Sequence, residues 1–264
     1  MKAAEEYIKQ LLKRGHCCFT LPEAQAALDQ KGPALNLTLQ RLRKAGWIAP
    51  VSRGFYLALD VQHQATGMLD PVWFVDDWAK FMDMDHYYVG GLSAAALHGA
   101  AHQRPMQFQV FADRQVRDVK QKELHLATFY KKDTKDTPIT KLKSPAGYFN
   151  VSTPEATAYD IVAYHRCCPS LDHAATVLVE LAEGMNAKRL AELALMPQWR
   201  PSLQRLGYLL DYVQWPEKAS RLHAALQRQP VKYVALESRL PSEGKRNDRW
   251  LIIENTDIQP DIER

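Results

Sequence analysis

The 264-residue chain sets 34 Lys and Arg against 30 Asp and Glu, a net charge of +4, and 46% of its residues are hydrophobic. Such a length holds one large domain or two ordinary ones, and this composition excludes wholesale disorder. No apolar run approaches the roughly 20 residues that span a bilayer, the first residues lack a signal peptide's apolar stretch, and four Cys in two adjacent pairs make no disulfide scaffold, so a soluble cytoplasmic protein is expected.

The charge is uneven. Residues 1–60 hold nine Lys/Arg and five Asp/Glu, whereas the remainder holds 25 of each. An excess confined to the first segment suggests a nucleic-acid-binding module on a neutral body. Its elements can be read in order. Ala4, Ile8, Leu11 and Leu12 recur at helical spacing and predict a first helix that Gly15 stops. Thr20-Leu21-Pro22-Glu23 is a capping box that starts a second helix at Leu21. A third is predicted over 34–45, ended by Gly46. Strands at 47–51 and 55–59 flank the turn Arg53-Gly54. Three short helices and a hairpin predict a winged helix-turn-helix over residues 1–62.

At about 100° per residue, Leu35, Leu39 and Leu42 share the buried face of the third helix. Leu37, Gln40, Arg41 and Lys44 lie opposite, with Asn36 and Arg43 on the flanks. Arg, Gln and Asn can make paired hydrogen bonds to base edges, Lys and Arg neutralise phosphates, and Leu37 could meet a thymine methyl. A solvated helix face would carry similar residues. The capped helix before it, the glycine stop and Arg53 at the hairpin tip favour duplex DNA as the partner. Asn36, Leu37, Gln40, Arg41, Arg43, Lys44 and Arg53 are the candidate contacts.

Residues 63–70 read as a polar linker, and 71–264 as a larger mixed α/β effector domain, making the whole chain α+β. Asp70-Pro71 opens a helix with Val72, Val75, Trp78 and Met82 inward. A strand at 87–89 leads through Gly90-Gly91 into a small-residue helix at 93–97. Strands are predicted at 107–112, 123–130, 139–143 and 148–151. Ser152-Thr153-Pro154-Glu155 reads as a second capping box. Helices follow at 172–181, 187–195, 202–213 and 217–227, then strands at 231–236 and 250–254. A basic stretch between Arg104 and Lys143 includes Arg114, Arg117, Lys120, Lys122, Lys131 and Lys132. It could meet an acidic partner or track nucleic acid, although a solvated surface is the simpler reading.

Several residues carry a resemblance. The run Arg53-Gly54-Phe55-Tyr56 after a winged helix resembles the front of the AbiEi antitoxins. So do Tyr88-Val89-Gly90-Gly91-Leu92-Ser93-Ala94-Ala95-Ala96-Leu97-His98-Gly99, the Ser-Thr-Pro-Glu helix start with Asp160 beyond it, and the tail Arg249-Trp250-Leu251-Ile252-Ile253-Glu254-Asn255. The resemblance implies a regulator and antitoxin of a type IV toxin–antitoxin system. It implies repression of the protein's own promoter, at repeated sites, and a second domain that counteracts a nucleotidyltransferase-type toxin encoded alongside. Direct contact with that toxin stays open.

Catalysis finds little support. Gly90-Gly91-Leu92-Ser93 also looks like the opening of a nucleotidyltransferase, which needs paired carboxylates for Mg²⁺. From Leu92 to Gln109 there is no acidic residue, and Asp113 stands alone. A nuclease reading would use Asp113 and Glu123, but Glu123-Leu124-His125 breaks its Glu-x-Lys pattern. His98 and His102 have the spacing of two ligands on one helical face, yet Gly99 lies between and no Glu supplies a base. His16-Cys17-Cys18 and His165-Arg166-Cys167-Cys168 invite zinc, but adjacent thiolates point apart. No enzyme, cofactor, metal or membrane association is expected. The alternatives are an enzyme of nuclease or nucleotidyltransferase ancestry with a DNA-targeting domain, and a regulator whose second domain senses a small ligand.

Overall fold

The computed structural model describes residues 2–100, 105–121 and 123–261. They form an α+β protein with eleven α-helices and three β-sheets among the described residues. The chain divides into two compact units: residues 1–88, 106–135 and 141–150 make the first, and 89–105, 136–140 and 151–264 the second.

The first unit begins with α1 (Lys2–Lys13), β1 (Cys18–Thr20), α2 (Leu21–Leu28), α3 (Gly32–Lys44), β2 (Ile48–Ser52) and β3 (Phe55–Ala58). The three strands form an antiparallel sheet in the order β1-β3-β2. Strand β1, which the sequence does not mark, is three residues long and pairs with β3 from Cys18↔Leu57 to Thr20↔Phe55. The capping box holds: Glu23 N–H donates to Thr20 Oγ1, and Glu23 Oε2 accepts from Thr20 N–H at 2.6 Å. Ala4, Ile8, Phe19, Ala24, Leu35, Leu39, Leu42, Ile48 and Ala58 share one apolar core.

A helical turn, α4 (Val61–Gln64), capped by Asp60, runs into the start of the segment read as a linker. Asp60 also pairs with the His63 ring at 2.6 Å, and that ring stands edge-on to Trp73. Asp70-Pro71 opens a 3₁₀ turn (Pro71–Trp73) before α5 (Val75–Phe81). Helix α5 packs against the first three strands through Phe81 and Phe55, whose ring centroids are 5.3 Å apart. Cys17 Sγ reaches the Trp73 carbonyl at 3.1 Å and Cys18 Sγ the Asp77 carboxylate at 3.3 Å.

A six-stranded sheet follows from β4 (Tyr87–Val89), β5 (Phe108–Ala112), β6 (Val119–Gln121), β7 (Leu124–Tyr130), β8 (Ile139–Ser144) and β9 (Gly147–Ser152), in the order β6-β7-β5-β4-β9-β8. Strands β5 and β7 run parallel over five residue pairs, and β6 is antiparallel to β7. Tyr88, Phe111 and Phe129 stack in a row across it, at 5.2 and 4.8 Å.

The second unit is mainly helical: α6 (Gly91–Leu97), α7 (Pro154–Ala163), α8 (Leu171–Gly184), α9 (Ala187–Ala194), α10 (Arg200–Tyr212) and α11 (Pro216–Leu226). Helix α7 is buried on every side from Glu155 to Val162, the mark of a central helix. Its start corrects the expected capping box. Thr153, not Ser152, is the N-cap, and the buried Glu155 carboxylate accepts the Asn186 N–H at 2.7 Å instead. Ser152 turns inward to the Thr157 hydroxyl at 2.7 Å. A small sheet of β10 (Val234–Ala235), β12 (Ile252–Glu254) and β11 (Lys245–Asn247), in that order, ends the chain. The buried amide of Gln204 donates to the carbonyls of Lys232, Trp250 and Leu251, tying α10 to the strands' approaches.

Candidate nucleic-acid interface

Helix α3 begins with Pro33 in its first turn, where a missing N–H costs nothing, and is followed after its cap Ala45 by Gly46, whose φ of +78° suits glycine. Its buried residues are Leu35, Leu39 and Leu42, which lock the helix to α1, α2 and β2 through the shared core. The opposite face therefore looks to solvent. Asn36, Leu37, Gln40, Arg41, Arg43 and Lys44 are all exposed. Leu37 is 48% exposed, an uncovered leucine within a polar row. Three cations in the last turn also suit the negative end of the helix dipole.

The face is not uniform. Arg43 stands on a flank and lines a cavity together with residues of β2, α4 and β6. Arg53 lies apart from the α3 row, on the turn between β2 and β3, and is exposed. That turn is anchored: the Leu21 N–H donates to the Gly54 carbonyl at 2.8 Å. Gly54 has φ +89°, and a Cβ there would lie 3.5 Å from Phe81. The arrangement can offer an Asn, a Gln and several cations to a groove, with an apolar side chain between them.

The basic stretch of the six-stranded sheet does not form one face. Lys131 is buried, with its ammonium 2.9 Å from the Tyr88 hydroxyl, and Arg114 is paired with Asp83 at 3.1 Å. Arg117, Lys120 and Lys132 are exposed. Arg104 and Lys122 lie outside the described residues, as does His102. His98 is engaged by the fold, its Nε2 2.7 Å from the Ser152 carbonyl.

No group of three or more His, Cys, Asp or Glu able to hold a metal occurs among the described residues. All four cysteines are free thiols. Cys17, Cys167 and Cys168 are buried, and burial pushes the Cys168 thiol up to about 12. Its neighbour Cys17, then burial and Asp77, hold Cys18 well above the ordinary thiol range. Asp113 follows β5 and Glu123 precedes β7. No helix among the described residues is long and apolar enough to cross a membrane.

Sequence reasoning missed Gln64 and Gln121, which share the cavity wall with Arg43. Gln121 is 78 residues from Arg43 in the chain, and only the packing of β6 brings them to one place.

Residues 88–212 match the family model of the AbiEi antitoxin C-terminal domain. Among solved structures, the chain resembles the crystal structure of the RV2827C protein from Mycobacterium tuberculosis. The TM-score is 0.70 and the sequence identity 17%, over 96% of this chain and 91% of that one. At that identity the likeness establishes a common fold. Comparison with curated proteins gives no match.

Proposed function

We propose, from the premise that residues 88–212 belong to the AbiEi antitoxin C-terminal domain family, that this chain is the antitoxin of a toxin–antitoxin pair and also represses its own operon. Residues 1–62 are then a winged helix-turn-helix, with α3 as the recognition helix and the β2–β3 turn as a short wing. Its partner is duplex DNA at the protein's own promoter. Asn36, Leu37, Gln40 and Arg41 face bases, while Arg43, Lys44 and Arg53 meet phosphates. Residues 71–264 are the effector part, countering a nucleotidyltransferase-type toxin encoded alongside. The protein acts in the cytoplasm and by binding rather than by catalysis.

One observation carries the DNA reading: Leu35, Leu39 and Leu42 anchor α3 from behind, leaving Asn36, Leu37, Gln40, Arg41 and Lys44 presented on its open side. A helix held so firmly loses little further freedom on docking, which favours affinity.

The test is made in cells carrying the neighbouring toxin gene and a reporter behind the operon's promoter. The full-length chain should restore growth and silence the reporter. The Gln40→Ala, Arg41→Ala double variant should restore growth while leaving the reporter on. Failure to restore growth rejects the antitoxin role, and an unsilenced reporter rejects the repressor role.

A further inference from the structure

We infer that the cavity at the C-terminal end of α3 binds a small organic anion with a compact apolar body, and that its occupation weakens DNA binding by engaging Arg43. The first part stands on the cavity alone; the second rests on the DNA-binding role of α3.

The cavity has a volume of about 400 Å³. That lies within the roughly 300–1,000 Å³ of small-molecule sites, which are mostly apolar with a few placed polar groups. Here Ile48, Ala49, Pro50, Leu59 and Met68 supply the apolar wall, and Arg43, Gln64 and Gln121 the polar one. The two amides are already oriented. Gln121 Nε2 donates to the Val51 carbonyl at 2.9 Å, and Gln64 Nε2 to the Leu59 carbonyl at 3.3 Å. Each NH₂ keeps a second N–H, so both can still serve a ligand.

Charge selects the ligand. No acidic residue is among those lining the cavity, and Arg43 is its one charged side chain among the described residues. Arg43 forms no ion pair with any described carboxylate. A cation would be repelled, and a neutral molecule would leave the guanidinium unused. A carboxylate could take its planar fork through two parallel hydrogen bonds.

Position supplies the coupling. Arg43 stands on the flank of α3, about 80° around the helix from Leu35, between the buried side and the exposed row. A guanidinium turned into the cavity with its fork on an anion is drawn away from a phosphate on the open side of α3, and its charge is already neutralised. Gly46, two residues beyond the last residue of α3, lines the same cavity, so a ligand would also touch the segment that follows that helix. Because the two events compete, each must weaken the other by the same factor.

The experiment uses the full-length protein and two probes of like shape, 1-naphthoate and the uncharged 1-naphthalenemethanol, with binding followed by ligand-observed NMR. Wild type should bind the carboxylate at least about fivefold tighter than the alcohol, and Arg43→Gln should abolish that preference. Met68→Trp, which fills the cavity from its rim, should abolish binding of both; its circular dichroism and melting midpoint confirm folding, and Leu59→Phe is the substitute if it fails to fold. No naphthoate binding at about 1 mM, equal affinities, or unchanged binding in the filled variant overturns the site. Promoter-DNA affinity is then measured with and without saturating naphthoate. A loss of at least about fivefold in wild type, absent from the filled variant, establishes the coupling, and no loss overturns it. If the protein binds no DNA at all, the coupling falls with the DNA reading while the NMR result on the site stands.

Discussion

Gln121 on β6 donates its side-chain amide to the main-chain carbonyl of Val51 on β2 at 2.9 Å. The three-stranded sheet that supports α3 and the edge of the six-stranded sheet are therefore joined within one compact unit. Phe55 against Phe81 and Cys17 against the Trp73 carbonyl tie the same first segment to α5 and to the 3₁₀ turn before it. Removing the amide should cost about 0.5–1.5 kcal/mol, the net worth of one such bond. Urea denaturation of full-length Gln121→Ala should show that loss as a lowered midpoint; an unmoved midpoint would show that the bond contributes nothing.

Leu39 and Leu37 lie two residues apart on α3 and should behave oppositely. Leu39 is 5% exposed in the core, so Leu39→Ala should lose about 2–5 kcal/mol of stability. Leu37, at 48% exposed, should tolerate alanine within about 0.5 kcal/mol yet lose promoter affinity. Thermal melts paired with anisotropy titrations check both. A Leu37→Ala protein of unchanged affinity would remove that side chain from the interface.

In the second unit, Gly207 on α10 packs against the Trp250 indole, and a Cβ there would come within 2.0–2.5 Å of three indole carbons. Trp250 cannot easily retreat, since its Nε1 donates to Asp211 Oδ2 at 2.6 Å. Gly207→Ala should destabilise by about 1–3 kcal/mol through overpacking, despite alanine's better helix propensity. Tryptophan fluorescence during denaturation reports it, and a variant as stable as the parent would contradict this packing.

Much of this fold was legible from periodicity and caps. Leu35, Leu39 and Leu42 marked the buried side of α3, and Thr20 with Glu23 marked the start of α2, because both signals are local. Strands β1, β6 and β11 were not: Cys18-Phe19-Thr20, Val119-Lys120-Gln121 and Lys245-Arg246-Asn247 lack the apolar, β-branched and aromatic run that marks Tyr87-Tyr88-Val89, and they form through their partners. The second capping box failed for a related reason. Ser152-Thr153-Pro154-Glu155 offers two possible caps, and burial of Glu155 against Asn186, 31 residues on, decided for Thr153. Lys131 looked like surface charge in sequence, yet it packs over the Tyr88 ring. The exposed residues of α3 were readable, whereas the cavity beside Arg43 depends on α4 and β6 and was not.

Acid should reveal Glu237. The hydrogen bond from Arg239, reinforced by that residue's backbone N–H and charge and opposed by burial, lowers its carboxyl from 4.5 to about 2. A lowered folded-state pKa contributes stability that is fully present above about pH 4.5 and is lost as pH falls towards 2. Because Arg239 is half exposed and screened by solvent, the contribution is far smaller than the full value of the shift. Urea midpoints measured from pH 5 down to pH 2 should fall less steeply for Glu237→Gln than for the parent. Identical slopes would place the acid sensitivity elsewhere.

The central claim is that the open side of α3 reads duplex DNA, and Arg41 tests it most directly. Fluorescence anisotropy of the full-length protein on its own promoter should give a log–log salt dependence that steepens by about 0.9 for each phosphate neutralised. Arg41→Ala should cost about 1–3 kcal/mol on the promoter and much less on random duplex, as expected for a side chain that reads a base. Arg53→Ala should instead weaken both duplexes alike and shallow the salt slope by about 1, as a phosphate contact would. Salt-independent binding, or an Arg41→Ala protein that binds the promoter as tightly as the parent, would contradict the account.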